Sequence, residues 1–313
     1  MRWYSISFFE IKDLGLFSSL LRFYVFFWRV VGAEFHSADF VMSFKRMTLL
    51  AGLLFVLPVL ITWNHLGFYL DDILYPEWRG QQIERPLFIV GNARSGTTWL
   101  HRLIALDDEA FTTFRTWEII FGVSVTWKIA AIYLYNIDQQ MSGPLYRIIA
   151  YIEGCIVGTI SVHQVGLQEV EEDEWLMMHV FLSQLIMLLF PLGSIVLHPL
   201  VLFDKADKAA FPLEMRRKIF HYYKQCVQRH LYARSVMQRR GLDNAQCVAS
   251  DKKVIFLSKN PPFTMRLELL YEAFPSCRVA CLVRDPLQSV PSMISYIAQV
   301  GTPTGLLHYI QFT

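Results

Sequence analysis

The stretch Gly91-Asn92-Ala93-Arg94-Ser95-Gly96-Thr97-Thr98 constrains the chain more than any other segment. It follows Pro86-Leu87-Phe88-Ile89-Val90, a short apolar run ending at glycine that reads as a buried parallel strand. Thr97 to Leu106 then reads as a helix. In such a strand–loop–helix unit the glycines, Gly96 among them, let backbone N–H groups close around an anion. The helix N-terminus adds free donors and the positive end of its dipole. Ser95, Thr97 and Thr98 offer hydroxyls, and Arg94 offers a planar fork that matches two phosphate oxygens. A nucleoside-triphosphate loop of this kind ends Gly-Lys-Ser/Thr, with the lysine on the β- and γ-phosphates. Here Thr97 stands in the lysine's place. The loop is therefore expected to hold a terminal monophosphate or a mixed phosphate–sulfate anhydride, and a magnesium-dependent kinase or ATPase is disfavoured.

The α/β signal returns near the end of the chain. Val254 to Ser258 and Arg278 to Val283 read as strands. Pro261-Pro262 opens a helix to about Phe274, and 287–300 reads as a helix despite Pro291. Arg284 directly follows the last strand, at the carboxyl edge where open parallel sheets place ligands. The expected fold class is α/β: a P-loop-type parallel sheet flanked by helices, with a large helical insert and an N-terminal hydrophobic helical region. The expected boundaries are 1–70 for a membrane-associated region and 71–313 for the α/β domain, the insert covering about 110–250.

Two separated stretches carry a family resemblance. FIVGNARSGTTWLHRLIALD resembles the 5′-phosphosulfate loop of the sulfotransferases that use 3′-phosphoadenylyl sulfate (PAPS). LSKNPPFTMRLELLYEAFPSCRVACLVRDPLQSVPSMISY resembles their second signature. The resemblance spans about residues 71–300 and is closest to the divergent bacterial-type, membrane-associated branch. It implies PAPS as sulfuryl donor, with no metal. It assigns Arg94, Ser95, Gly96, Thr97, Thr98 and Trp99 to the 5′ end of the donor. Arg284 and Ser292, eight residues apart, fall to its 3′-phosphate. Lys259 matches the lysine of a K-S-P motif and is expected at the sulfuryl group, with Asn260 replacing the serine. His163 is expected as general base, with Glu171 or Glu172 orienting it or binding the acceptor. Imidazole suits that task because its reference pKa lies near 6.5.

Composition bears on where such a reaction would occur. Hydrophobic residues make up 54% and charged residues 18%, with a mean hydropathy of +0.33. Usual soluble proteins carry about 25% charged residues. Residues 47–70 contain no Asp, Glu, Lys or Arg and are long enough to span a bilayer. A span, a surface attachment and a buried soluble helix all remain open for this segment. Residues 14–31 are apolar but carry Arg22 and Arg29, which suits an interfacial helix. Residues 176–203 are nearly all apolar and read either as a second membrane contact or as core helices. The expected partners are a lipid bilayer and a hydroxyl-bearing acceptor, lipid-like or carbohydrate. The expected location is a membrane, with a single-pass Golgi or endomembrane protein as one form and the side of the α/β domain left open. No N-x-S/T sequon supports a luminal domain.

A net charge of +2 without a long basic run gives no nucleic-acid signature. Five cysteines without a CxxC imply no zinc or disulfide framework, and Cys277 and Cys281 are expected to be buried thiols. The chain stops about a dozen residues beyond Gly301, earlier than the family resemblance leads one to expect. The alternative function is therefore a sulfotransferase-like membrane scaffold or binding protein without catalysis.

Overall fold

The computed structural model describes residues 13–36, 44–157, 166–183, 212–242 and 254–304. Its centre is a four-stranded sheet in the order β2-β3-β1-β4, formed by β1 (Leu87–Gly91), β2 (Phe111–Thr112), β3 (Ile255–Lys259) and β4 (Arg278–Leu282). Every pairing is parallel. Phe88 lies across from Ser258 on one side and Val279 on the other, so β1 is flanked on both edges. Phe88, Ile89 and Val90 are completely buried, which is why this strand is an unbroken apolar run rather than an alternating one. Strands 1, 3 and 4 fall where the sequence places them. The two-residue β2 lies in a stretch expected to be helical and is too short to leave a period of its own.

β4 is an edge strand, and its residues are only half-buried or exposed. This corrects the expectation for the two thiols: Cys277 is half-buried and Cys281 is exposed. Edge position leaves one side of β4 without a neighbouring strand among the described residues.

Helices pack around the sheet: α1 (Leu16–His36), α2 (Phe44–Leu74), α3 (Thr97–Ile104), α4 (Thr116–Ile120), α5 (Val125–Gln140), α6 (Pro144–Val157), α7 (Leu213–Arg239), α8 (Leu267–Ala273) and α9 (Pro286–Thr304). The core is aromatic. Phe88 of β1 sits 5.2 Å from Phe274 and 6.4 Å from Tyr223 of α7, ring centre to ring centre. Phe23 and Phe26 of α1 meet Phe181 edge-on at 5.3 and 5.4 Å, so α1 belongs to the same core. A 3-10 helix over Asp173–Val180 carries Leu176, Met177 and Val180 into that core. Residues 184–203, the rest of the apolar stretch, lie outside the described residues.

Two boundaries differ from the sequence expectation. α2 continues to Leu74 through Asp71-Asp72, beyond the uncharged stretch 47–70. The reason is that Asp71 turns inward and is fully paired. It accepts hydrogen bonds from the Val125 and Thr126 backbone N–H groups at 3.0 and 2.8 Å, and from Arg229 at 3.1 Å. A carboxylate so satisfied can end a helix inside a protein. The segment expected as one helix from Pro261 is instead a 3-10 turn over Pro261–Met265 followed by α8. Arg266, at φ −123°, separates the two.

Candidate active site

β1 delivers the chain to the sheet's carboxyl edge, where the Gly91–Thr98 loop turns into α3. Gly91 adopts φ +142°, and a Cβ there would lie 2.4 Å from the Leu282 carbonyl oxygen, so only glycine fits beside β4. Gly96, at φ 91°, starts α3 in the left-handed region. Arg94 also sits at positive φ, 67°, a conformation that costs a non-glycine residue about 1–3 kcal/mol and tends to occur at functional sites. The Ser95 hydroxyl is buried and has no hydrogen-bond partner among the described residues. An open buried hydroxyl inside a positive-φ loop is what a bound phosphate oxygen would satisfy. Thr97 is buried at the first turn of α3, and the Trp99 ring is exposed on the same helix.

Residues of the two separated signatures meet here. Arg94 Nε donates to Ser292 Oγ of α9 at 3.0 Å. Arg284 Nη1 donates to the Arg94 carbonyl oxygen at 3.1 Å. Tyr296, one turn beyond Ser292, lies under the Arg94 guanidinium with its ring centre at 5.5 Å, a cation–π contact the sequence reading did not anticipate. Two arginines and a serine thus stand at one rim of the loop.

The other rim is formed by β3. Lys259 is the strand's last residue and is nearly fully buried. Its ammonium donates to Thr98 Oγ1 at 2.8 Å and forms an ion pair with Glu172. The structure therefore brings together Lys259, Thr98 and Glu172. Glu171 has a different place: its backbone N–H bonds the Phe114 carbonyl at 3.2 Å, and its side chain accepts from the Glu172 N–H at 2.9 Å. His163 lies outside the described residues.

Asp173 and Tyr223 carry the most elaborate bonding in the site, and the sequence reading gave neither a role. Asp173 is buried and accepts from Asn260 Nδ2 at 3.0 Å and from the Tyr223 hydroxyl, which also lies 3.1 Å from Ser258 Oγ. Burial pushes its carboxyl up to about 6, against the pull of hydrogen bonds from Tyr223, Ser258 and Asn260 and with the help of nearby Glu172. The signal available in the sequence was only that Asp173 belongs to the acidic run 169–174. His101 of α3 is also buried and bonds Thr113 Oγ1 at 2.8 Å. Burial, with Lys259 and Arg102 nearby, lowers its pKa to about 3, so it packs as neutral imidazole.

Glu118 of α4 faces inward. It caps α4 by accepting from the Arg115 N–H at 2.8 Å and pairs with buried Lys128 at 2.9 Å. His230 and Phe114 complete that cluster, with Lys128 Nζ 4.7 Å from the Phe114 ring centre. Its role is to join α4, α5 and α7 behind the sheet.

The fold and the site define an α/β protein with a glycine-containing strand–loop–helix turn at the carboxyl edge of a parallel sheet. A family model described as the sulfotransferase family matches residues 86–308, from the start of β1 through α9. The chain belongs to that family. Its fold is similar to that of sulfotransferase STF9 from Mycobacterium avium, with a TM-score of 0.56 and 18% identity over 87% of this chain and 60% of that one. It is also similar to sulfotransferase STF1 from Mycobacterium tuberculosis H37Rv, with a TM-score of 0.55 and 18% identity over 90% of this chain and 73% of that one. The chain thus spans less than two thirds of the length of the first of these. No curated protein matches the sequence.

Proposed function

We propose that the protein transfers a sulfuryl group from PAPS to the hydroxyl of a lipid-like or carbohydrate acceptor at a membrane face. The observation that carries this reading is Lys259, whose buried ammonium stands between Thr98 of the phosphate loop and Glu172 of the acidic turn. PAPS supplies an activated sulfuryl group on its 5′-phosphate. The residues fit that donor: the loop N–H groups, the Ser95 hydroxyl and Arg94 suit the 5′-phosphate, and Arg284 with Ser292 suits the 3′-phosphate.

In the transfer, the acceptor oxygen bonds sulfur as the sulfur–oxygen bond to the phosphate breaks. The electron pair of that bond stays on the phosphate, and the acceptor hydroxyl's proton passes to a base. Lys259 and Arg94 stabilise the charge that develops on the sulfuryl and phosphate oxygens. Glu172 is the carboxylate next to the reacting end and takes the proton, directly or through His163. Calorimetric titration of the full chain with adenosine 3′,5′-bisphosphate (PAP) tests this. Micromolar binding supports the reading, and no binding by folded protein removes it.

One described helix, 50–74 within α2, is long and apolar enough to cross a membrane. A surface-lying attachment accounts better for its surroundings. One face turns Leu57, Ile61, Asn64 and Asp71 into the protein, and the Asn64 amide donates to the Ile120 carbonyl at 2.9 Å. The other face exposes Phe55, Val59, Leu66 and Ile73. α6 exposes Leu145, Tyr146, Ile148, Ile149 and Tyr151 on several sides, which suits a surrounding apolar medium better than a single partner face.

A further inference from the structure

Residues 172–173 meet residues 259–260 side chain to side chain and in order. Glu172 pairs with Lys259, and Asp173 accepts from the Asn260 amide at 3.0 Å. The Asn260 main chain is held as well, its N–H donating to the Ile89 carbonyl of β1 at 3.0 Å. Asn260 is therefore located from both sides, by the strand that launches the phosphate loop and by Asp173. The third member, Tyr223, reaches Asp173 from the middle of α7. All three residues are buried, so water cannot replace a lost contact cheaply.

We propose that Asp173 is a positioning residue for sulfuryl transfer: by holding the Asn260 amide and the Tyr223 hydroxyl, it seats the turn that carries Glu172 against the strand end that carries Lys259. The role rests on the function proposed above. It is separate from the donor-phosphate contacts, because Asp173 touches neither the loop nor α9 in any described hydrogen bond. Hydrogen bonding rather than charge performs the seating. Asp173 oxygens face an amide N–H and a hydroxyl; among the described residues its charged and titratable neighbours are Glu172 and Tyr223, and no cation is bonded to it. An asparagine at 173 keeps an oxygen for Asn260 and can donate to Tyr223, whose hydroxyl then turns to Ser258. Alanine keeps none of this. The Asn260 arrangement has a second consequence. With its NH2 turned to Asp173, its buried side-chain oxygen has no donor among the described residues and stays open to a bound hydroxyl.

The test uses the full chain with Asp173→Ala, Asp173→Asn, Asn260→Ala and the double alanine variant. Acylation of Lys259 by an N-hydroxysuccinimide ester, read by mass spectrometry, is expected to quicken about fivefold or more in Asp173→Ala. Transfer from PAP[³⁵S] to a lipid extract is expected to fall roughly 10- to 100-fold, the scale of a small misplacement of reacting groups. PAP affinity should change less than about twofold. Asp173→Asn should restore labelling and transfer to near wild type, and Asp173→Ala should add little in the Asn260→Ala background. Unchanged Lys259 labelling in Asp173→Ala, failure of asparagine to rescue, or full additivity with Asn260→Ala overturns the proposal. If wild type binds no PAP, the sulfuryl-transfer reading falls, and Lys259 labelling alone still decides the seating. If Asp173→Ala does not fold, Asn260→Ala decides: it must expose Lys259 to the same degree, and normal labelling overturns the proposal.

Discussion

Arg94 and Ser292 stand 198 residues apart in the chain and are joined by a 3.0 Å hydrogen bond from Nε to Oγ. The residue assigned to the donor's 5′ end thus touches the residue assigned to its 3′-phosphate. With Arg284 bonded to the Arg94 carbonyl, one rim of the loop is built from both signatures of the chain. Under the proposed function, a donor phosphate entering here would exchange the Arg94–Ser292 contact for contacts of its own.

This arrangement predicts unequal losses. Arg94→Ala removes a charged fork and is expected to weaken PAP binding by about 1.5–3 kcal/mol, roughly 10- to 100-fold. Ser292→Ala removes one hydroxyl and is expected to cost about 0.5–1.5 kcal/mol. Isothermal titration with PAP measures both. Equal affinities for wild type and Arg94→Ala would place the phosphate elsewhere.

Glu172 is expected to matter for turnover rather than donor binding. Glu172→Gln keeps the shape but loses the basic oxygen, and a missing general base typically costs about 10²- to 10⁴-fold in rate. PAP affinity should stay within a few-fold of wild type. Single-turnover transfer from PAP[³⁵S] separates the two quantities. A rate within a few-fold of wild type in Glu172→Gln would remove Glu172 as base.

Acid stability is set by groups of opposite sign. His101 and His179 are lowered by burial to about 3 and about 4, so the unfolded chain binds protons that the folded chain refuses. Their contribution is present above the unfolded value near 6.5 and is lost as pH falls; for His101 alone the loss by pH 5 is about 2 kcal/mol. Asp173 runs the other way. Its carboxyl is raised to about 6, so its contribution is fully present below about 4 and is lost as pH rises through 6. Urea midpoints between pH 5 and 8 should therefore fall toward acid, more steeply in Asp173→Asn and less steeply in His101→Gln. A slope unaffected by either substitution would contradict the burial argument.

The attachment of α2 can be read from its two ends. If the helix lies on the surface, cysteines placed at Thr48 and Glu77 of a variant without native cysteines should react with an impermeant maleimide from the same side of a vesicle. A crossing helix puts them on opposite sides. Opposite labelling would return α2 to the role of a span.

The chemical character of the site was legible locally because it depends on neighbours in sequence. Gly91 to Thr98 encode a tight loop between a strand and a helix, and the following strands are short apolar runs with clear ends. Other features had no local signature. β2 is two residues long and is recognised by its pairing to β3. Asp71 can be carried inside the helix only because Arg229 and the α5 N-terminus, both distant in sequence, satisfy it. Cys281 looked buried because its strand is apolar, yet that strand lies at the sheet's edge.

Local sequence was enough to place a tight loop at 91–98 between a strand and a helix, and to mark Leu87–Gly91, Ile255–Lys259 and Arg278–Leu282 as short apolar strands. Those outcomes follow from backbone freedom at glycine, the donors at a helix start and hydrophobic periodicity. Which charges meet depends on the packing of distant segments. Lys259 finds Thr98 and Glu172, and Asp173 finds Asn260 and Tyr223, because β3 and β1 are adjacent and parallel and the 172–173 turn closes over their ends. Burial then decided what those charges are worth, since a carboxyl removed from water holds its proton longer than the same carboxyl in an exposed acidic run. The loop was written in eight consecutive residues, whereas the Lys259–Thr98–Glu172 group beside it exists only where the sheet brings distant residues together.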